Sequence, residues 1–169
     1  LIRVRDNGTG MSNSDAELCF KRHATSKISK VEDLQDISSL GFRGEALSSI
    51  AAVSKVVLRT KSDSHNIGCE LTLEEGQQQK LVSWNGARGS EFEVTRLFAN
   101  LPARKKFLKS PRSDSARILD WLYCSALGHP QVRYKLISSG AEVLFLPAHK
   151  DIFDRLSNII SGTSIRVDY

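Results

Sequence analysis

Leu1-Ile2-Arg3-Val4-Arg5-Asp6-Asn7-Gly8-Thr9-Gly10 opens the chain. Apolar and charged residues alternate as far as Asp6, the period of a half-buried strand. Asn7 to Gly10 then predicts a tight turn. Ser14-Asp15-Ala16-Glu17 follows and fits a capping box, so a helix is expected to about Arg22. A carboxylate held at a strand end, as at Asp6, can accept a hydrogen bond from an exocyclic amine such as that of adenine. Gly8 and Gly10 would let a flat ring approach the backbone with no Cβ in the way. Asp-Asn-Gly is also an everyday turn sequence.

Outward from this stretch, His23 to Lys30 is polar and without period, and reads as a loop. A short helical segment over 31–37 precedes the glycine-bracketed loop 38–44. A helix over 45–53 carries Leu47, Ile50 and Ala51 at helical spacing. The middle of the chain is rich in strands, expected over 55–60, 68–73, 80–84 and 91–97. Glu74-Glu75-Gly76-Gln77 and Asn85-Gly86-Ala87-Arg88-Gly89 are the turns between them. A basic loop covers 100–112. A long helix over 113–127 places Ile118, Leu119, Leu122, Tyr123 and Ala126 on one face and stops at Gly128-His129-Pro130. A hairpin turns at Ser139-Gly140, and a final helix runs over 150–160. Trp84, Phe92 and Trp121 read as core residues. This order lacks regular βαβ alternation. It predicts an α+β fold with helices packed on one face of a mixed, largely antiparallel sheet.

The 169 residues suffice for one compact domain with a real core, and 40% apolar with 25% charged is ordinary for a globular domain. No apolar run approaches the ~20 residues needed to span a bilayer. The three cysteines form no disulfide framework and favour a reducing compartment. Net charge +5 permits an acidic partner such as nucleic acid. Cys19 and His23 stand four apart, as do His65 and Cys69, but no Cys-x-x-Cys supports a metal reading. The chain starts inside a strand pattern with no initiator Met, and reads as a piece of something longer.

Neither a Walker-type phosphate loop nor a Gly-x-Gly-x-x-Gly fingerprint is present. Gly41-Phe42-Arg43-Gly44-Glu45-Ala46-Leu47 is instead a glycine-rich turn opening a helix. Backbone N–H groups there suit an anion, phosphate especially, and Arg43 adds a bidentate donor. Glu45 in the first turn also simply suits the helix dipole. His23-Ala24-Thr25-Ser26-Lys27 gathers two hydroxyls and an ammonium in a loop that could close over phosphates, or lie solvated.

Together, Asp6-x-Gly-x-Gly10, His23 to Lys27 and Gly41 to Leu47 resemble the MutL DNA mismatch-repair proteins of the GHKL (Bergerat-type) ATPase superfamily. Asn100-Leu101-Pro102-Ala103-Arg104-Lys105-Lys106-Phe107-Leu108 resembles a further MutL loop, and the likeness covers nearly the whole chain. The resemblance implies an ATP site. Asp6 would take the adenine amine, with Gly8 and Gly10 at the ring. Thr25, Ser26 and Lys27 would lie in the lid, and Gly41, Phe42, Arg43, Gly44, Glu45, Ala46 and Leu47 would wrap the phosphates. Ser90 stands where the family usually has Thr beside the adenine, and keeps the hydroxyl.

The resemblance also implies Mg²⁺ in the parent protein. In the family the catalytic Glu and the Mg²⁺-holding Asn lie on a helix before the Asp-x-Gly-x-Gly strand, so this stretch is expected not to hydrolyse ATP alone. Residues 1–150 would be the ATPase domain, and 151–169 a linker helix and the start of a transducer domain. Implied partners are non-sequence-specific DNA, mismatch-recognition and downstream repair proteins, and a second N-terminal domain in an ATP-dependent dimer. The implied place is the bacterial cytoplasm, near the nucleoid. Arg104, Lys105, Lys106 and Lys109 lie in a stretch from Arg96 to Arg112 that holds no acid, and are the candidate DNA contacts. A different class stays open: a non-catalytic nucleic-acid-binding module of the same fold. Another GHKL ATPase is a third reading.

Overall fold

The structure, a computed structural model, describes residues 1–21 and 45–163. It comprises two compact units, the first Leu1–Phe107 and the second beginning at Leu108. The first unit contains β1 (Ile2–Asp6), α1 (Asn13–Leu18), α2 (Ala46–Ala51), β2 (Lys55–Lys61), β3 (Gly68–Glu74), β4 (Gln77–Trp84), β5 (Gly89–Thr95) and the short α3 (Pro102–Lys105). The five strands form one sheet in the order β1-β5-β2-β3-β4, and every pairing among them is antiparallel.

Strand alternation gives this sheet two different faces. Val4, Phe92, Leu58, Leu71 and Leu81 are successive cross-strand partners on one of them. Ala16 of α1 and Ala51 of α2 are buried in one cluster with Val56, Leu58, Leu71 and Leu73, so both helices cover that face. Each fully buried Leu or Val there contributes about 1.5–3 kcal/mol. The other face is a charge ladder. Arg59 Nε donates to Glu70 Oε2 at 2.7 Å and Nη1 to Glu91 Oε1 at 2.9 Å. Arg3 Nη2 donates to Glu93 Oε2 at 2.7 Å. The expected α+β architecture, helices on one face of an antiparallel sheet, is the one observed.

Local chemistry sets the boundaries. The β3–β4 hairpin turns at Glu75 (φ 52°) and Gly76 (φ 80°), the left-handed pair of a two-residue loop whose twist matches its strands. The cap of α1 is Ser12, not the Ser14 expected from the capping-box pattern. Ser12 Oγ accepts the Asp15 N–H at 3.2 Å. Two serines two residues apart offer the same signal, and the backbone reaches its extended cap conformation at the earlier one. The helical segment expected over 31–37 lies outside the described residues.

The second unit holds α4 (Pro111–Gly128), β6 (Tyr134–Ser138), β7 (Ala141–Leu146) and α5 (Ile152–Thr163). Pro111 occupies the first turn of α4, where its missing N–H is harmless, and Ser110 caps it. β6 and β7 pair through a turn at Ser139 (φ 51°) and Gly140 (φ 82°). Ala126, Leu144 and Leu146 are the core, with Leu119, Leu122, Tyr123 and Ile159 against it. Trp121, expected in the core, is 67% exposed. It stands about half a turn round α4 from the Leu119–Tyr123–Ala126 stripe, because successive residues advance about 100°. Arg155 of α5 is fully buried and donates through Nη2 to the Pro130 and Val132 carbonyls, at 2.8 and 2.6 Å.

Candidate functional site

One row of the sheet ends the apolar face in polar groups. Asp6, Ser90 and Thr60 are successive cross-strand partners on β1, β5 and β2. Asp6 Oδ1 accepts the Gly8 N–H at 2.8 Å and the Ser90 N–H at 3.3 Å. These bonds fix the carboxylate, and among the described residues Oδ2 is left without a partner. Asp6 is exposed among the described residues. An oriented carboxylate oxygen with no protein donor is an acceptor site for an amine N–H.

The backbone around it is closely fitted. Gly10 has φ 66°, and a Cβ there would run into the Lys61 carbonyl oxygen. Gly89 has φ 110°, and its Cβ would strike the Asp6 carbonyl oxygen. Glycine lets the turn after β1 lie against the end of β2, and the start of β5 lie against the end of β1. Arg88 Nε is 3.0 Å from the Gly8 carbonyl oxygen and 2.9 Å from Asp63 Oδ1, binding the turn from its solvent side.

Sequence reading missed Thr60. Its Oγ1 accepts the Met11 N–H at 2.9 Å and lies 3.1 Å from both the Gly89 carbonyl oxygen and Ser90 Oγ. The signal was a hydroxyl at a core-facing position, since Val56, Leu58 and Thr60 share the buried face of β2.

Of the expected phosphate-wrapping residues, Glu45 caps α2 without a side-chain capping bond, and Ala46 and Leu47 form its first turn. The Glu45 carbonyl oxygen accepts the Ser49 N–H at 3.0 Å. Amides at the very start of such a helix have no intrahelical acceptor. Thr25, Ser26, Lys27, Gly41, Phe42, Arg43 and Gly44 lie outside the described residues.

The loop expected over 100–112 contains α3, a helical turn begun by Pro102. Arg104, Lys105, Lys106 and Lys109 are all exposed, and among the described residues none forms an ion pair. Arg96 differs, because it pairs with Glu74 of β3 and its charge is answered there. Elsewhere, burial pushes the Cys19 thiol up to about 12, helped by neighbouring Cys69 and by Asp15. Burial likewise raises Cys69, with Glu17 adding to the effect. Both act as core-filling thiols. Among the described residues no three of His, Cys, Asp and Glu are grouped so as to hold a metal ion.

An antiparallel sheet covered by helices on one face, ending in a fixed carboxylate and a glycine turn, has the α+β form of a GHKL-type ATPase domain. No family model matches the chain. The MutL mismatch-repair protein of Flavobacterium psychrophilum is 44% identical over 165 residues, 96% of this chain and 26% of that protein. The MutL of Desulforamulus reducens is 47% identical over 144 residues, 85% of this chain and 22% of that protein. Among solved structures, the Aquifex aeolicus MutL ATPase domain complexed with ADP matches with TM-score 0.73 and 31% identity, over 95% of this chain and 56% of that one. The N-terminal domain of a DNA repair protein matches with TM-score 0.72 and 26% identity, over 97% of this chain and 49% of that one. The chain belongs to the MutL family of DNA mismatch-repair proteins. It spans about a quarter of the length of these curated relatives.

Proposed function

We propose that the chain is the ATP-binding part of a mismatch-repair protein that works as an ATP-gated clamp between mismatch recognition and strand processing. The observation that carries this reading is Asp6, whose Oδ1 is occupied by the Gly8 and Ser90 amides and whose Oδ2 has no partner among the described residues. Adenine presents an N–H donor in its exocyclic amine. In this reading Asp6, Gly8, Gly10 and Ser90 hold the base. Glu45, Ala46 and Leu47 belong to the phosphate-wrapping segment with Gly41 to Gly44, and Thr25, Ser26 and Lys27 to the lid. That one neighbour was solved with ADP supports nucleotide binding. Mg²⁺ would accompany the triphosphate in the whole protein.

ATP would order the lid, and the ordered lid would help two N-terminal domains meet and signal to mismatch-recognition and strand-processing partners. Residues 1–150 would serve nucleotide binding, and 151–169 would lead into a transducer domain. The exposed Arg104, Lys105, Lys106 and Lys109 favour a DNA contact of phosphate type, at work in the bacterial cytoplasm beside the nucleoid. No helix among the described residues is long and apolar enough to cross a membrane.

Titration calorimetry of the purified chain with ATP, ADP and GTP tests this function. Saturable binding of the adenine nucleotides, with GTP much weaker, is expected. DNA binding with no nucleotide binding would favour the non-catalytic module.

A further inference from the structure

Gly8 is held at both ends. Its N–H donates to Asp6 Oδ1 at 2.8 Å, and its carbonyl oxygen accepts Arg88 Nε at 3.0 Å. The second bond comes from the turn between β4 and β5, 80 residues along the chain. Arg88 is itself anchored, because Nε lies 2.9 Å from Asp63 Oδ1 on the loop between β2 and β3. That loop carries bonds of its own. The His65 N–H donates to the Ser62 carbonyl oxygen at 3.3 Å, and the Ser62 and Ser64 hydroxyls lie 2.7 and 2.9 Å from His65 Nδ1. Three separate segments therefore meet at Arg88. Asn7 to Gly10 lie outside helix and strand, so no ladder of backbone bonds orders them. A stretch with two glycines has much conformational freedom to lose. A bond that orders it beforehand removes that cost from the binding of any ligand lying against it.

We propose that Arg88 is a positioning residue for the nucleotide. Through the Gly8 carbonyl it holds the glycine turn in its binding geometry before the base arrives, and Asp63 holds Arg88 in place. The inference rests on the nucleotide reading above and adds to it the residue that orders the turn in advance. The Arg88 and Asp63 side chains are 50% and 62% exposed, so solvent and salt screen the latch and its effect is modest.

The test uses two replacements of similar length on the full chain. Arg88→Gln places an amide N–H donor where Nε stands and removes the charge. Arg88→Met keeps the length and removes the donor. Calorimetry with ADP gives the affinity, urea unfolding the stability, and amide hydrogen exchange the order of the free turn. Arg88→Met should lower affinity about fivefold, with an unchanged urea midpoint and faster exchange at Gly8 to Gly10. Arg88→Gln should recover most of the affinity and the protection. Equal losses in both variants would mean that the cation attracts the phosphates through its field, and would overturn the proposal. Lower affinity with unchanged exchange, or affinity in Arg88→Met equal to the parent, would overturn it too. A matching drop in the urea midpoint would mean a merely structural role, with the same consequence. If the unmodified chain binds no adenine nucleotide, the nucleotide reading falls and this inference falls with it.

Discussion

The Ser90 amide donates to Asp6 Oδ1 across 84 residues of sequence, and the two residues are direct register partners on β5 and β1. The bond ties the carboxylate to the sheet, so its orientation is set by strand pairing and not by side-chain freedom. Asp6→Asn therefore separates structure from recognition. The asparagine oxygen can keep the Gly8 and Ser90 amides, while its NH₂ replaces Oδ2 and meets an amine donor to donor. Adenine-nucleotide affinity is expected to fall about tenfold or more, by calorimetry, with little change in the thermal midpoint. Unchanged affinity would remove Asp6 from the base site.

The same residues show what a sequence can disclose. Turns were readable because left-handed backbone requires glycine or its few substitutes, as at Glu75-Gly76 and Ser139-Gly140. The strand end at Asp6 was readable for the same reason. Thr60 was not, because its partners Met11, Gly89 and Ser90 are assembled only by strand register. Neither was the pairing of Arg96 with Glu74, 22 residues away on β3, which takes one cation out of an apparently uniform basic stretch. Trp121 was misread because hydrophobicity alone does not say which side of a helix faces its partner.

Gly10→Ala should destabilise the first unit. The substitution adds a left-handed alanine, about 1 kcal/mol, and a steric conflict with the Lys61 carbonyl oxygen. A lower urea midpoint at unchanged slope is expected. A midpoint equal to that of the parent would show that the turn relaxes freely.

The charge ladder gives a pH dependence of definite sign. The hydrogen bond from Arg3 lowers the Glu93 carboxyl below its ordinary 4.5, against the effect of burial, with the Arg3 and Arg59 charges adding. A carboxylate lowered on folding adds stability above its unfolded value, and loses it as pH falls through the folded one. Glu93→Gln should therefore be less stable than the parent at pH 7, by under about 1 kcal/mol because the pair is partly solvated. The two should converge below pH 4.5. Parallel denaturation curves from pH 7 to pH 3 would contradict this assignment.

Thiol reactivity should order the cysteines. Cys124 is exposed, whereas Cys69 is buried and burial carries Cys19 to about 12. At pH 8 maleimide labelling followed by peptide mass spectrometry should find Cys124 modified first, with Cys19 and Cys69 following only on unfolding. Early labelling of Cys19 would mean that the α1–β3 packing opens readily.

Lys106 and Arg96 together test the basic turn. Both are cations in the same acid-free stretch, yet Lys106 is exposed and unpaired among the described residues while Arg96 is engaged by Glu74. A phosphate contact releases counterions, and each lost contact on duplex DNA reduces the slope of log affinity against log salt by about 0.9. Lys106→Glu should weaken binding to unrelated duplexes about equally and flatten that slope. Arg96→Ala should change both less, since its charge is already paired with Glu74. Fluorescence anisotropy over a salt series separates the outcomes. Equal losses in the two variants would show that the whole stretch acts as a diffuse positive field. Loss confined to one sequence in Lys106→Glu would show that the turn reads bases and not phosphates.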